Sequence, residues 1–409
     1  MNSKQDAVAT EPVELPSKRI ERLDPPPALR HLRERGPACR LRFSDGQLGW
    51  LVLGYSLGRE LLVDSRFSVA DFVQPLGDPE VVGEVDRIER SMPEHAGVLI
   101  ALDPPQHTRI RRAAASYFTV KAVADREAAI ERIVAGRLDA MEAAGAPVDL
   151  LTAFALPLSS FSICEVLGVP HADRERFERP SAVLADPGAS AAEKRAALVE
   201  FSDYCRDVVD RKRESPGADL LSDLVSSGKL SEDEIVGLAR QLFEAGHETT
   251  ATMLTLSVFT LLSERSRWDA LRADPERAAA VVEELMRYLS ILQMGTFSRT
   301  ATEDVELGDV VIKQGEKVVV SIPEANRDPE KFAEPDALDF DRNAAGHLAF
   351  GHGRHMCIGQ HLARWELKVA LRGLVERFPD LYLAVPLEEV HFYGGEHLLY
   401  GVEALPVAW

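Results

Sequence analysis

The sequence predicts a mainly α-helical protein that also contains small β-sheets. Three observations lead to this fold class. Alanine, a strong helix former, is abundant in the 409-residue chain. Helical periodicity dominates the long stretch from Gln106 to Tyr288. Alternating apolar residues bounded by turns occur in short segments near both ends of the chain, and these predict strands.

The folded part is expected to begin after a short N-terminal arm. Residues 1–22 are rich in polar side chains, and a proline-rich turn that starts at Asp24 follows them. We found neither an internal repeat nor a low-complexity linker further along the chain. We therefore predict a flexible arm over 1–22 and one folded domain over 23–409.

Turn signals and periodicity place the remaining elements. Asp45-Gly46 lies between two alternating apolar runs and predicts a hairpin. The stretch from Phe67 to Leu102 has weak periodicity and several Pro and Gly residues, which is typical of a long functional loop. The predicted hairpin covers Leu41–Leu53. The other predicted elements are a helix at Ser56–Val63, helices from Gln106 to Tyr288, strands from Val305 to Ser321, a helix at Gly359–Phe378 and strands from Leu381 to Val407.

Composition argues against several classes of protein. The net charge of −19 disfavours nucleic acid as a partner, because that partner needs a basic face. The four cysteines show no C-x-x-C spacing, so we expect neither a zinc site nor a disulfide framework, and reduced thiols suit the cytoplasm. The longest uncharged stretch, about Thr249 to Ser263, is shorter than the roughly 20 apolar residues of a membrane span.

The segment from Phe350 to Gly359 is the most informative in the chain. It reads Phe-Gly-His-Gly-Arg-His-Met-Cys-Ile-Gly, and it places Cys357 just before a predicted helix. The helix dipole and the charges of Arg354 and His355 favour the thiolate form of that cysteine. A thiolate is the ligand that supports O–O cleavage at haem iron. The alternative is a buried structural cysteine in a glycine-rich loop.

One long helix, predicted over Ser231–Glu264, carries a polar interruption. Ser231 and Glu234 have the spacing of a capping box at its start. The run Ala245-Gly246-His247-Glu248-Thr249-Thr250 then interrupts an apolar stretch, where a buried Glu or Thr is costly without partners. The functional interpretation is that the small residues admit an oxygen ligand while Glu248 and Thr249 handle protons. The alternative is a solvated stripe in which the Thr249 hydroxyl bonds to the Ala245 carbonyl.

These two segments together resemble the cytochrome P450 family. The cysteine loop matches every fixed position of the family's haem-binding signature, and the interrupted helix is similar to its oxygen-groove motif. The resemblance covers about residues 23–407. It implies the P450 fold, a triangular, mostly helical domain with small β-sheets. It also implies haem b as cofactor, with Cys357 as the axial iron ligand and Ala245, Phe350 and Gly359 beside the haem.

The resemblance assigns further roles to charged residues. His107 and Arg111 stand one helical turn apart in the string D-P-P-x-H-x-x-x-R. With Arg299 and His355, they match positions that bind the haem propionates. The E-x-x-R pair Glu284 and Arg287 matches a structural pair that holds a core salt-bridge network. By residue type alone, all of these are ordinary surface charges.

Two positions depart from the family's pattern. Glu324 stands before Ala325-Asn326, where relatives usually carry a small residue, and this predicts an unusual polar contact. Arg354 and Met356 bracket His355 in a less common way. Neither departure affects the chemistry that the resemblance implies.

The resemblance implies a monooxygenase. Such an enzyme inserts one atom of O₂ into a C–H bond (hydroxylation) or an alkene (epoxidation), here of a small, largely apolar substrate in secondary-metabolite biosynthesis. Protons would pass through Thr249 and Glu248. The alternatives are a non-catalytic haem protein, which we expect to lose the cysteine or the acid–Thr pair, and a peroxide-driven haem enzyme. The residues expected to line the substrate site are Leu242, Ala245, Met294, Gly295, Thr296, Phe297 and Leu398.

The expected partners follow from what the chain lacks. It has no flavin or iron–sulfur motif, so electrons from NAD(P)H must arrive through other proteins, a ferredoxin reductase and a ferredoxin. We expect a monomer in the cytoplasm that binds neither nucleic acid nor membrane. A basic cluster is predicted to attract the acidic ferredoxin, and its members are Arg109, Arg111, Arg112, Arg354, His361 and Arg364.

Overall fold

The structure is a computed structural model that describes residues 11–71, 78–293, 297–393, 395 and 397–409. Its α-helices are α1 (Pro27–Arg35), α2 (Tyr55–Val63), α3 (Pro79–Ser91), α4 (Gln106–Ala114), α5 (Val120–Ala124), α6 (Glu127–Ala144), α7 (Leu156–Leu167), α8 (Glu175–Ala185), α9 (Ala191–Glu214), α10 (Leu220–Ser227), α11 (Glu232–Leu262), α12 (Arg265–Ala273), α13 (Ala278–Leu289), α14 (Ile322–Ala325) and α15 (Gln360–Arg377).

The strands are short. They are β1 (Val13–Glu14), β2 (Ala38–Arg42), β3 (Leu48–Val52), β4 (Phe67–Ser68), β5 (Val148–Asp149), β6 (Arg299–Ala301), β7 (Val305–Leu307), β8 (Val310–Ile312), β9 (Lys317–Val320), β10 (Tyr382–Leu383), β11 (Phe392–Tyr393), β12 (Gly401–Val402) and β13 (Pro406–Ala408). The prediction of a mainly helical protein with small sheets is confirmed.

The chain forms two compact units. One comprises Met1–Gly83, Glu284–Cys357 and Gly394–Tyr400, and the other comprises Glu84–Glu283, Ile358–Tyr393 and Gly401–Trp409. The first holds the largest sheet and the second holds most of the helices. The prediction of one domain over 23–409 stays a prediction.

The first unit is built on a six-stranded sheet with the order β1-β2-β3-β9-β6-β4. Strands β2 and β3 form the predicted hairpin, and Gly46 at its turn has a φ of 81°. Because side chains alternate along a strand, Leu51 packs into one core cluster while Trp50 and Val52 pack into another. Strand β1 pairs in parallel with β2. The segment 11–22, predicted as part of a flexible arm, therefore contributes a strand to this sheet.

Helix α3 lies where the sequence predicted a long loop, so that expectation is wrong for 79–91. The Asp78 side chain accepts hydrogen bonds from the backbone N–H groups of Glu80 and Val81, at 2.9 and 3.3 Å. Asp before Pro79 is a helix-start signal that we missed. Val81, Val85 and Ile88 recur at helical spacing, which is a second signal that we missed, although none of the helix residues is buried.

The second unit is organised around α11, the 31-residue helix that the sequence predicted. The capping box is present: Ser231 N–H donates to Glu234 Oε2 at 2.8 Å, and Glu234 N–H donates to Ser231 Oγ. The 3₁₀ turn Pro93–Gly97 lies directly against this helix. A Cβ atom at Gly237 would stand only 1.9 Å from the Glu94 carbonyl oxygen, so the approach requires glycine there. Close backbone packing thus fixes this turn on α11.

The remaining strands form three small sheets, with the orders β10-β13-β5, β11-β12 and β7-β8. They confirm the strand signals at Val305–Ser321 and in the C-terminal tail. Among the described residues, every helix is too short or too polar to cross a membrane.

Candidate functional site

The cysteine loop is held in place by its own backbone. Cys357 N–H donates to the Phe350 carbonyl oxygen at 2.9 Å. Gly351 and Gly353 have φ values of 70° and 74°, in the left-handed region that favours glycine. At Gly353, a Cβ atom would also stand 2.6 Å from the Leu62 carbonyl oxygen. The glycines of the motif are therefore required by backbone geometry.

The four cysteines differ in accessibility. Cys39, Cys164 and Cys205 are buried, whereas Cys357 is exposed. Burial raises the pKa of Cys39 to about 11 and that of Cys164 to about 12, and it raises the pKa of Cys205 further. A buried neutral thiol is chemically inert. Cys357 is therefore the cysteine available to bind a cofactor.

Two of the predicted propionate-binding residues belong to the first unit. Arg299 opens β6, is 4% exposed, and donates from Nη1 to the Leu62 carbonyl oxygen at 3.2 Å. The same carbonyl group faces Gly353 of the cysteine loop, and His355 ends the 3₁₀ turn that begins at Gly353. The structure therefore brings Arg299 and the cysteine loop together around Leu62.

The other two predicted propionate-binding residues belong to the second unit. His107 and Arg111 lie on α4, one turn apart, as the spacing predicted. His107 is 2% exposed and Arg111 is partly buried. A deeply buried histidine next to an arginine is an unusual arrangement for ordinary surface charges.

The polar interruption of α11 has two sides. His247 is buried, its Nδ1 atom lies 2.7 Å from the Phe243 carbonyl oxygen, and its own carbonyl accepts a 2.6 Å hydrogen bond from Ser159 of α7. A Cβ atom at Gly246 would stand 2.9 Å from Ile163, which also belongs to α7. Gly246 thus serves close packing against α7. The expectation that the small residues of this run admit an oxygen ligand stays a prediction.

The other side carries Ala245, Glu248 and Thr249. Ala245 is exposed, and the Thr249 hydroxyl donates to its carbonyl oxygen at 2.8 Å, which is the bond of the alternative interpretation. Burial, with a smaller contribution from the Glu244 carboxyl, raises the pKa of Glu248 to about 7. Glu248 can therefore gain or lose a proton near neutral pH.

The pair Glu284 and Arg287 lies at the centre of a buried network in the first unit. Both side chains are fully buried, and Arg287 Nε and Nη2 each donate to a Glu284 oxygen at 2.7 Å. Arg287 Nη1 also donates to the carbonyl oxygens of Asn326 and Pro335, while Arg342 donates to Glu284 at 3.2 Å. Two helix residues thereby hold the loop that leads towards the cysteine segment.

Glu324, which departs from the family's pattern, has a defined partner. It is 2% exposed and accepts a 2.6 Å hydrogen bond from Arg33 Nε of α1. Burial raises the pKa of its carboxyl, although Arg33 opposes that shift. The predicted polar contact is therefore an ion pair that fastens α1 to α14.

The predicted substrate-lining residues are scattered over both units. In the second unit, Leu242 is 6% exposed and Ala245 is exposed. In the first unit, Phe297 and Leu398 are partly buried, and the Leu398 carbonyl accepts from Gln293 N–H. Met294, Gly295 and Thr296 lie outside the described residues.

Sequence reasoning missed the groups that precede Glu248 on α11. Arg240 is 3% exposed and forms an ion pair with Glu89 of α3, and Glu244 stands one turn before Glu248. The i, i+4 spacing of Glu244 and Glu248 was a readable signal. The pairing of Arg240 was not readable, because its partner lies 151 residues away.

The predicted basic cluster is partly neutralised. Arg109 forms an ion pair with Glu234, and Arg364 forms one with Glu283. Arg112 is exposed. The positive charge available to a partner is therefore smaller than the sequence suggested.

Comparison with known proteins identifies the class. The family model of the cytochrome P450 matches residues 187–382. Pentalenic acid synthase of Streptomyces avermitilis is 42% identical over 97% of this chain and 98% of its own length. Nocardicin C N-oxygenase of Nocardia uniformis is 41% identical over 95% of this chain and 96% of its own. The crystal structure of CYP105P1 in complex with filipin I matches with a TM-score of 0.91 and 37% identity, over 98% of this chain and 99% of that one.

The fold and the relatives thus define an oxidoreductase. The chain belongs to the cytochrome P450 family and is a P450 monooxygenase. Two of its relatives are named for their reactions, one as a synthase and the other as an N-oxygenase.

Proposed function

We propose that this P450 inserts one oxygen atom of O₂ into a C–H bond or an alkene of a small, largely apolar molecule in secondary-metabolite biosynthesis. The observation that carries the proposal is the accessible thiol of Cys357 in a loop whose glycines are fixed by backbone geometry. The names of the relatives support the metabolic setting: one is a pentalenic acid synthase and another a nocardicin C N-oxygenase.

The residues present fit haem b. An exposed thiol suits an axial ligand, while two arginines and two histidines suit two propionate carboxylates. In this proposal Cys357 ligates the iron, and the propionates are bound by His107, Arg111, Arg299 and His355. Phe350, Gly359 and Ala245 would also contact the haem. When bound, the haem supplies the oxygen-activating chemistry.

The chain's own contribution to the reaction is the control of protons. The overall conversion consumes substrate, O₂, two electrons and two protons, and it yields the oxygenated product and water. The Glu248 carboxyl, with a pKa of about 7, can take a proton from solvent and release it again. The Thr249 hydroxyl stands beside it and donates to the Ala245 carbonyl, so it must turn away from that carbonyl to serve another acceptor.

The electrons come from outside the chain in this proposal. We assign a ferredoxin and its NAD(P)H-dependent reductase as donors, with the enzyme acting as a monomer in the cytoplasm. A peroxide-driven enzyme would instead turn over without the reductase. Omitting the ferredoxin while supplying peroxide separates the two reactions.

The direct test is replacement of the proposed ligand. Reduced protein treated with CO should show the red-shifted Soret band of thiolate-ligated haem, and Cys357→His should abolish it, because imidazole is a weaker electron donor than thiolate. Cys39→Ala, at a buried cysteine, is the matched control and should keep the band. Retention of the band in Cys357→His would show that the ligand has been misassigned.

A further inference from the structure

One face of α11 carries a row of four residues, and other segments of the second unit pack on only some of them. Gly237, Arg240, Glu244 and Glu248 recur at spacings of three and four, so they lie on the same face of the helix. The turn Pro93–Gly97 packs on this face at Gly237. One turn further, Glu89 of α3 pairs with Arg240, which is 3% exposed.

The segments that pack on Gly237 and Arg240 do not cover Glu244. Its side chain is exposed, as is that of Ala245 beside it. Among the described residues, no group donates a hydrogen bond to its carboxylate, and the nearby Arg240 forms its ion pair with Glu89 instead. Burial among surrounding protein atoms nevertheless raises the pKa of Glu244. Leu242, Phe243 and His247 on the same stretch of α11 are buried, so Glu244 and Ala245 form an exposed notch in an otherwise buried part of the helix.

A second acceptor stands on the preceding turn. Gln241 Oε1 is buried and has no hydrogen-bond partner in the described part of the chain. A buried acceptor without a donor is costly, and here it stands one turn from an unpaired carboxylate in the notch. Two acceptors without donors, three residues apart on one helix, call for a ligand that brings donors and positive charge.

We propose that Glu244 binds a cationic nitrogen of the substrate, such as a protonated amine, one helical turn from Glu248. The inference rests on the proposed function, because it assigns a substrate group to the same oxygenase site. It changes the expected substrate from a purely apolar molecule to a largely apolar one with a basic nitrogen. The charge of Arg240 acts on Glu244, but its guanidinium forms its ion pair with Glu89, so the direct ion pair of Glu244 is left for a ligand.

The test uses two small-molecule probes that have the same ten-carbon chain and the same two isopropyl groups on nitrogen. N,N-Diisopropyldecylamine is protonated at neutral pH, and its hindered nitrogen is too crowded to ligate iron. N,N-Diisopropyldecanamide is its uncharged counterpart. Calorimetry on the haem-loaded enzyme should show the amine binding about tenfold more tightly than the amide, and Glu244→Gln should remove that preference because the charge pair is lost. Glu232→Gln, at the exposed start of the same helix, controls for the change in net charge and should keep it.

A second measurement concerns the ionisation of the Glu244 carboxyl when the probe binds. The charged groups facing Glu244 are Arg240 and Glu89, together with Glu248 on the next turn. Because the cation pairs with the ionised carboxyl and burial favours the neutral one, the preference for the amine should weaken as pH falls, which calorimetry at several pH values measures. Glu244→Gln should show no such pH dependence, and Glu244→Asp should restore part of it.

Equal affinity for the two probes in the natural protein, or an equal loss of both in Glu244→Gln, would overturn the proposal. The result is separable from the proposed function. Loss of the thiolate band in the reduced CO complex of the natural protein contradicts the haem assignment, whereas loss of the cation preference alone contradicts only the role of Glu244. Unchanged binding of the amide by Glu244→Gln shows that the variant is folded.

Discussion

Two side chains on α11, Glu244 and Glu248, show how burial changes the chemistry of a common residue. Both are glutamates on a helix that is otherwise largely apolar, and burial is the main cause of the raised pKa of each. Each also faces the negative charge of the other, which makes a doubly ionised pair costly. The position in the fold, not the residue type, gives Glu248 a pKa suited to proton exchange.

The raised pKa of Glu248 predicts a pH-dependent gain in stability for Glu248→Gln. The folded pKa is about 7 against an ordinary value of 4.5, so the stabilising contribution is complete below pH 4.5 and is lost as pH rises through 7. One pKa unit corresponds to about 1.4 kcal/mol, so between pH 5 and pH 8 the variant should gain up to about 3 kcal/mol over the natural protein. Denaturant melts at the two pH values measure this difference.

The variant should also couple electron consumption to product formation less well, since an amide carries no exchangeable acid proton. Glu232→Gln, at an exposed position, is the control for net charge. A stability difference that stays constant between pH 5 and pH 8 would show that Glu248 titrates at its ordinary value.

At the scale of helices and strands, the sequence predicted the elements that are marked by a motif of a few neighbouring residues. The capping box at Ser231 and Glu234 marked the start of α11, and Asp45-Gly46 marked the β2–β3 hairpin. Helix α3 was missed because the prolines and glycines of its surroundings suggested a loop, although Val81, Val85 and Ile88 have helical spacing. The strand β1 was missed because two residues pair with β2 about 28 positions away, and such pairing leaves no pattern in a short segment.

The site was predictable to a similar extent. Cys357, Glu248 and Thr249 belong to contiguous strings, and contiguous strings can be recognised in one sequence. The Arg240–Glu89 and Arg33–Glu324 ion pairs join distant segments, so they appear only once the chain is folded. The packing role of Gly246 against Ile163 was hidden for the same reason.

The close approach of the turn Pro93–Gly97 to α11 predicts opposite effects for one substitution at two helical glycines. At Gly237 a Cβ atom would collide with the Glu94 carbonyl oxygen, so Gly237→Ala should destabilise the protein by about 2 kcal/mol or more. At Gly136 on α6 a Cβ atom meets nothing within 4 Å, so Gly136→Ala should stabilise by about 1 kcal/mol. Thermal melts of both variants give the comparison. Equal changes of the same sign would mean that the turn is not packed on the helix.

At the scale of the whole molecule, the charge balance bears on how electrons arrive. The net charge of −19 would repel the acidic ferredoxin that we propose as donor, so its docking would depend on local positive charge. Arg109 and Arg364 are engaged by carboxylates, whereas Arg112 on α4 is exposed and forms no ion pair among the described residues. The partner should therefore be sensitive to this one side chain.

Charge reversal tests that dependence. Arg112→Glu should slow reduction by ferredoxin about tenfold, since reversed rim charges act mainly on the association rate. Peroxide-driven turnover, which needs no ferredoxin, should be unchanged. Arg195→Glu on α9 makes the same change of net charge at another exposed position and should have little effect. If both variants slow reduction equally, net charge and not a local contact governs the encounter.

The unequal burial of the four cysteines has a practical consequence. Three thiols are enclosed by the core and one is open, so the protein without cofactor is in effect a single-thiol protein. A thiol-specific reagent added to the folded apoprotein reports on Cys357 alone, with a stoichiometry of one label per chain. Each haem that binds through Cys357 removes one reactive thiol, so the fraction of loaded enzyme can be counted by titration, without reference to absorbance or activity.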